Sequence, residues 1–320
     1  MRDVFLASAA HWTQGEGDAP EDVNRLRRMD RFGRAGYRAG TRAFAAAGLT
    51  RGERPDSRCG VVVGTRHGCR SAITEHAARL AVATRVEDLA PSVFAATVHN
   101  TVNGELAIAL GLGGVSETIV SGRTAGLEAL ILGARRVAGG DADRVLVVAA
   151  EGIDDAMREA WEEEKSAFGK RAAGVELVES AAAVLLEARE TSDFPRFIEG
   201  CLFFEPDTRR AAARFLEWSR GVDARADGDA RPAVISLCGP DYEDFLEGNT
   251  EEEEKAKEPR VERFGASGMY EIAREVSGRR AKTAHQPSPH SPSKKIHLYV
   301  TRDITGAVAA VALESETYSS

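Results

Sequence analysis

Several functional classes are excluded by what the chain lacks. Its 320 residues hold only four cysteines, Cys59, Cys69, Cys201 and Cys238, with no CxxC pair and no cysteine–histidine spacing of a zinc site. No metal centre or disulfide framework is expected, and the thiols should be free in a reducing compartment. Long apolar runs are also missing: stretches such as Val145 to Ala150 and Ala181 to Leu186 fall well short of the ~20 residues that cross a bilayer. There is no excess of positive charge, since 42 basic against 50 acidic residues leave a net charge of -8. A nucleic-acid partner is therefore not expected. The N-terminus, Met1 to Ala10, has no long apolar segment behind a basic start and reads as a first strand, not a signal peptide. These absences point to the cytoplasm, with no membrane association. Gly111-Leu-Gly-Gly114 lacks the full GxGxxG context, so no nucleotide or flavin cofactor is implied. What is present, 43% hydrophobic and 29% charged residues, suits a folded chain with a sizeable core.

Along the chain, runs that are apolar throughout alternate with Ala-rich helical patterns. Val4 to Ala9, Gly60 to Gly64, Ser116 to Ser121 and Arg144 to Ala150 read as strands; Met29 to Gly48, the end of Arg66 to Val82, Val93 to Leu110 and Thr124 to Val137 read as helices. Strands apolar on both faces belong to a sheet covered by helices on both sides. The second half repeats the pattern, with strands at 174–187, 197–204, 233–237, 296–301 and 307–313 and helices at 209–218 and 265–276. The whole is read as one unit of two halves, 1–155 and 156–320. Asn249 to Arg260, a charge run, and Arg279 to Lys295, rich in Pro, Ser, His and Lys, are expected to be mobile surface loops, because they lack the apolar residues that offset ordering entropy.

The most informative segment is Thr118-Ile-Val-Ser-Gly-Arg-Thr-Ala-Gly-Leu-Glu-Ala-Leu130. A strand passes through a tight Ser121-Gly122-Arg123 turn into a helix, which puts residue 123 at a strand-to-helix elbow, exposed at the positive end of a helix dipole. A cysteine there would be activated as thiolate. Arg123 is no nucleophile, because its guanidinium cannot be deprotonated.

Collinear with this elbow are Met29-Asp-Arg-Phe32, Gly60-Val-Val-Val-Gly-Thr65, Pro91-Ser-Val-Phe94, Asn103 to Gly111, Arg144 to Glu151, Gly174 to Glu187 and Thr301 to Glu314. In this order they resemble the β-ketoacyl synthases of the thiolase superfamily, strongly to about residue 190 and weakly beyond. The resemblance implies an α/β fold with a five-layered αβαβα core of two related halves. It also implies a catalytic cysteine and two histidines. The cysteine position matches Arg123, one histidine position falls near Cys238-Gly-Pro240 where no histidine occurs, and the other falls near Glu262. All three positions are substituted, so no catalytic residue is assigned.

Among these proteins the chain is most similar to the chain length factors of type II polyketide synthases, whose elbow resembles Ser121 to Leu130 with Gln where Arg123 stands. What that similarity implies is a non-catalytic subunit that forms a heterodimer with an active ketosynthase in polyketide or polyene biosynthesis and shapes the acyl tunnel, with an acyl carrier protein docking mainly through the partner. The tunnel-gating segment matches Phe94 to Val102. Phe94, Val98 and Val102 recur at helical spacing, and with His99, Ser121 and Arg123 they are the candidate tunnel and interface residues. An apolar helical stripe also packs a core, and that reading stays open. Arg123 is expected to fill the vestigial acyl pocket and brace the heterodimer seam, with drift at an unused position as the alternative.

A different class of function is a divergent thiolase-fold acyltransferase or decarboxylase whose chemistry has moved, with Cys69 or Cys238 as nucleophile. Cys69 lies two residues from His67, and no third orienting group is evident. Cys59 and Cys201 are expected in the core.

Overall fold

Parallel strands that are apolar on both faces must be covered on both faces, and this requirement organises the molecule. The computed structural model describes residues 1–17, 23–52, 54–85, 91–168, 175–188, 195–223, 231–237, 261–262, 266–283, 293–302 and 307–317. In chain order it runs β1 (Val4–Thr13), α1 (Val23–Leu26), α2 (Arg31–Ala46), β2 (Cys59–Thr65), α3 (Arg70–Val82), α4 (Pro91–Ala95), α5 (Thr101–Leu110), β3 (Ser116–Val120), α6 (Ala125–Gly139) and β4 (Arg144–Glu151). It continues with α7 (Asp155–Phe168), β5 (Glu176–Leu177), β6 (Ser180–Glu187), β7 (Arg196–Phe204), α8 (Thr208–Asp223), β8 (Arg231–Leu237), β9 (Val261–Glu262), α9 (Ser267–Thr283), β10 (Ser293–Arg302) and β11 (Ala307–Thr317).

Nine strands form the order β3-β2-β4-β6-β1-β7-β11-β10-β8. The ladder is thinnest at β1–β7, where only Val4 pairs with Phe197 and Phe5 with Arg196. On either side of this joint the pairing repeats. In the first half β2 runs parallel to β3 and β4, while β6 runs antiparallel to β4 and β1. In the second, β8 runs parallel to β10, while β11 runs antiparallel to β10 and β7. Without β3, the two orders are the same, which identifies two related halves.

Helices fill the remaining layers. On the outer face of the first sheet α2 packs on β1, β4 and β6, with α5 on β2 and β3; α6 and α9 lie between the sheets, and α8 covers β7 and β11. The result is the αβαβα layering. The middle layer is cemented by Leu127, Leu130, Ile131, Met269, Ile272, Val147 and Val311, all buried. Two close approaches set the spacing, one in the middle layer and one in the outer layer. A Cβ on Gly64 in β2 would lie 2.3 Å from the carbonyl oxygen of Ala125, so β2 meets the first turn of α6 directly. A Cβ on Gly36 in α2 would lie 2.8 Å from Val102 Cγ1, which seats α5 against α2.

Three sequence expectations change. The helix read over Val93 to Leu110 is two pieces, α4 and α5, separated by a turn. Thr97 and Thr101 each give their hydroxyl to a carbonyl three residues back, Phe94 at 2.8 Å and Val98 at 2.7 Å, and such local bonds compete with continuous helix. The loop read over Arg279 to Lys295 is shorter at both ends: α9 continues to Thr283 and β10 begins at Ser293. Ser293 to Arg302 of β10 pair in continuous antiparallel register with Thr317 to Val308 of β11, which extends the ladder into the expected loop. Its middle, 284–292, and the charge run 249–260 lie outside the described residues. Finally, α7 was not anticipated from the sequence at all. No helix among the described residues is long and apolar enough to cross a membrane.

Candidate functional site

The elbow is held from three directions. Ser121 N–H donates to the Thr65 carbonyl at 3.1 Å, tying the exit of β3 to the end of β2. Ser121 Oγ donates to Glu128 Oε1 at 3.0 Å, and Thr124 Oγ1 donates to the same oxygen, so one carboxylate on the first turn of α6 gathers both flanks of the turn. From the second half, Thr301 Oγ1 donates to the carbonyl of Arg123 at 3.5 Å. Beneath β3, Asn103 of α5 accepts from Thr118 Oγ1 at 2.7 Å and donates to the Glu117 carbonyl at 2.8 Å.

Contrary to the exposure that the elbow pattern predicts, Arg123 points inward and is 1% exposed. Its guanidinium carbon lies 5.8 Å from the centre of the Trp161 ring, within cation–π range. Trp161 comes from α7 and is packed with Ile153, Met157, Val175 and Leu177 in a small cluster of its own. Leu177 pairs across β5–β9 with Glu262. The elbow and the backbone at Glu262 thus border one cluster, although 139 residues separate positions 123 and 262.

A second strand-to-helix junction, from β2 into α3, lies beside the elbow. Glu151, fully buried at the end of β4, accepts from Thr65 Oγ1 at 3.2 Å, from His67 N–H at 3.2 Å and from Arg66 N–H. The loop it fixes turns at Gly68, whose φ is +56°. His67 faces Glu151, with Nδ1 at 3.4 Å. Cys69 faces His99 instead, Sγ to Nδ1 at 3.5 Å, a pairing across 30 residues that sequence spacing could not reveal. Cys69 is fully buried, and burial, followed by the nearby Asp30 charge, pushes its thiol up to about 11. A thiol held neutral at pH 7 is a poor nucleophile. Asp30 itself caps α2 through Gly33 N–H at 2.7 Å and accepts from Ser71 Oγ at 3.2 Å; burial raises it to about 6 against those hydrogen bonds. Cys59 and Cys201 are each pushed up to about 12 by burial; Cys59 lies in the core as expected, whereas Cys201 is half-buried at its edge. Cys238 lies outside the described residues.

The remaining candidates separate. Phe94 on α4 is 61% exposed and Val98 in the following turn 46% exposed, whereas Val102 on α5 is fully buried against α2. The break between α4 and α5 removes the continuous helical stripe on which their grouping rested. With Ile108 on α5 and Val120 on the edge strand β3, Phe94 and Val98 belong to the exposed large apolar residues of this half. Sequence reasoning missed Trp161 and Glu128. A signal existed for the first: Ile153, Met157 and Trp161 are spaced by four among acidic residues, a helical stripe.

The comparisons with known proteins agree with this architecture. A sequence model described as "Beta-ketoacyl synthase, N-terminal domain" matches residues 19–192, just over half of the chain. A curated relative, 3-oxoacyl-[acyl-carrier-protein] synthase 2 of Vibrio cholerae, is 34% identical over 126 residues, which are 39% of this chain and only 30% of that protein. Among solved structures, the ishigamide ketosynthase/chain length factor superposes with a TM-score of 0.70 at 21% identity, covering 93% of this chain and 85% of that one. A ketosynthase assembly of a type II polyketide synthase, AntDE:AntF, solved with its acyl-carrier protein and bound to the hexaketide, gives 0.73 at 18% identity over 98% and 100%. A β-ketoacyl synthase from Burkholderia phymatum gives 0.72 at 14% over 99% and 100%. At these identities the structural likenesses establish the thiolase-like ketosynthase fold, and with the match over residues 19–192 the chain belongs to the β-ketoacyl synthase family.

Proposed function

We propose that this chain is a non-catalytic ketosynthase-like subunit of the chain length factor type, which pairs with an active ketosynthase and shapes the acyl-chain tunnel in type II polyketide or polyene biosynthesis. The observation that carries the reading is Arg123, buried at the elbow where the family places its acyl-accepting cysteine. A guanidinium cannot attack a thioester, so acyl transfer falls to a partner that keeps the cysteine and both histidines. The chain needs no cofactor for this role and acts in the cytoplasm.

Heterodimerisation is supported by the edge of the first sheet. β3 ends the sheet order and its Val120 is 47% exposed. An unpaired edge beside exposed apolar side chains seeks another chain. Phe94, Val98 and His99, on the segment that leads to this edge, are assigned to the tunnel and interface, with Ser121 at the seam; Val102 supports the segment from beneath. The acyl carrier protein docks mainly through the partner, because a net charge of -8 makes this chain a poor dock for an acidic protein.

The alternative of a relocated acyltransferase or decarboxylase is disfavoured at Cys69, whose thiol is buried and held neutral. The test is coexpression with the ketosynthase encoded nearest to it, one chain tagged, followed by light-scattering mass. A stable one-to-one complex is expected. A well-behaved homodimer that ignores the ketosynthase would overturn the reading.

A further inference from the structure

Vacated sites can collapse or be refilled, and the two outcomes leave different traces. The largest fully buried side chains of the described residues are Trp161 and Arg123, each 1% exposed, and they lie against one another. Burying a guanidinium costs desolvation that the surroundings must offset, here in part through the indole face. Small residues would have let the space behind the elbow close at no such cost. Instead α7 carries its tryptophan to this point, in a cluster apart from the three main cores, with Met157 and Leu177 beside it.

We propose that Arg123 and Trp161 together form a stopper, occupying the space that an acyl chain attached at position 123 would need, so that this subunit holds no acyl group itself. Truncating the indole opens a slot for an unbranched alkyl chain. The proposal rests on reading the elbow as a former acyl site, and it deepens that reading by assigning the growing chain to the partner and the seam. A void lined by Ile153, Met157 and Leu177 would stay dry, and dry apolar voids take apolar ligands.

The test places a thiol at the elbow and asks what reaches it. The full chain carrying Arg123→Cys, purified with its partner if they copurify, is treated with iodoacetamide and separately with N-dodecyl iodoacetamide. The thiolate sulfur of the new cysteine displaces iodide from the reagent's methylene carbon, and peptide-level mass spectrometry separates that adduct from those at Cys59, Cys69, Cys201 and Cys238. With Trp161 in place, the dodecyl reagent is expected to react about tenfold more slowly than iodoacetamide; in Arg123→Cys/Trp161→Ala the two rates should come within about threefold. A dodecyl rate untouched by Trp161→Ala would overturn the stopper, and so would equal acceleration of both reagents, which signals general loosening. Should the alanine variant not fold, Arg123→Cys/Trp161→Leu replaces it, with an intermediate gain for the dodecyl reagent expected and no gain counting against the proposal. Loss of the heterodimer in the coexpression test would leave these rates as they are, so the two readings fail separately.

Discussion

Two strand-to-helix junctions stand side by side at the same end of the first sheet, one leaving β2 and one leaving β3. Each has half of what an acyl-transfer site requires. The β3 junction has the position, a tight turn running into the N-terminus of α6, and is filled by a residue without nucleophilic chemistry. The β2 junction has the chemistry, a thiol 3.5 Å from an imidazole, and buries it where the thiolate is disfavoured. Position and reactivity have come apart between these two junctions. The comparison also shows different means of fixation: side-chain hydroxyls gathered by Glu128 at the elbow, and backbone N–H groups gathered by the buried Glu151 at the other junction.

That difference can be probed directly. The largest effect is expected at Glu151, because Glu151→Ala strands Thr65 Oγ1 and two backbone donors in the interior; a loss of about 3–5 kcal/mol in denaturant unfolding is predicted, against about 1–2 kcal/mol for Glu151→Gln, which keeps the shape. Asp30 comes next. Its folded value of about 6 lies above its ordinary 3.8, so the folded state holds the proton more tightly and the wild type loses stability as pH rises through that window. Asp30→Asn keeps an acceptor for Gly33 N–H and has nothing to ionise. Its stability relative to wild type should therefore climb by up to about 3 kcal/mol between pH 4 and pH 7 and then level off; a flat difference would show that Asp30 titrates normally. Third, Cys69 should react with iodoacetamide at pH 8 about a hundredfold more slowly than a free thiol. Fast labelling or acylation there would revive the relocated-enzyme reading and erase the contrast between the junctions. The smallest change is Ser121→Ala, which removes one hydroxyl from Glu128 and should cost about 1 kcal/mol, while Ser121→Ala/Thr124→Ala shows whether the two hydroxyls act independently.

Much of this was legible because local pattern and tertiary role coincide. The apolar runs of β2, β4 and β6 and the elbow all follow from residue type and spacing; the burial of Arg123 does not. What escaped depended on contacts between distant segments. Cys69 is three residues into a glycine loop, yet its partner is His99, brought over by a turn that threonine hydroxyls cut into an otherwise helical stretch. Trp161 sits in a strongly acidic helix, and nothing in that helix says that its one indole faces Arg123. Phe94, Val98 and Val102 share a spacing but not a helix, so periodicity alone grouped a core residue with two exposed ones.

Gly64 gives the elbow an unusual lever. Because β2 and the opening turn of α6 approach so closely at the point where a side chain would begin, one methyl group added there would displace α6, which follows residue 123 directly and carries the Glu128 carboxylate through the middle of the molecule. The aim of the elbow is thereby set by an atom that is absent, about sixty residues upstream of the arginine itself.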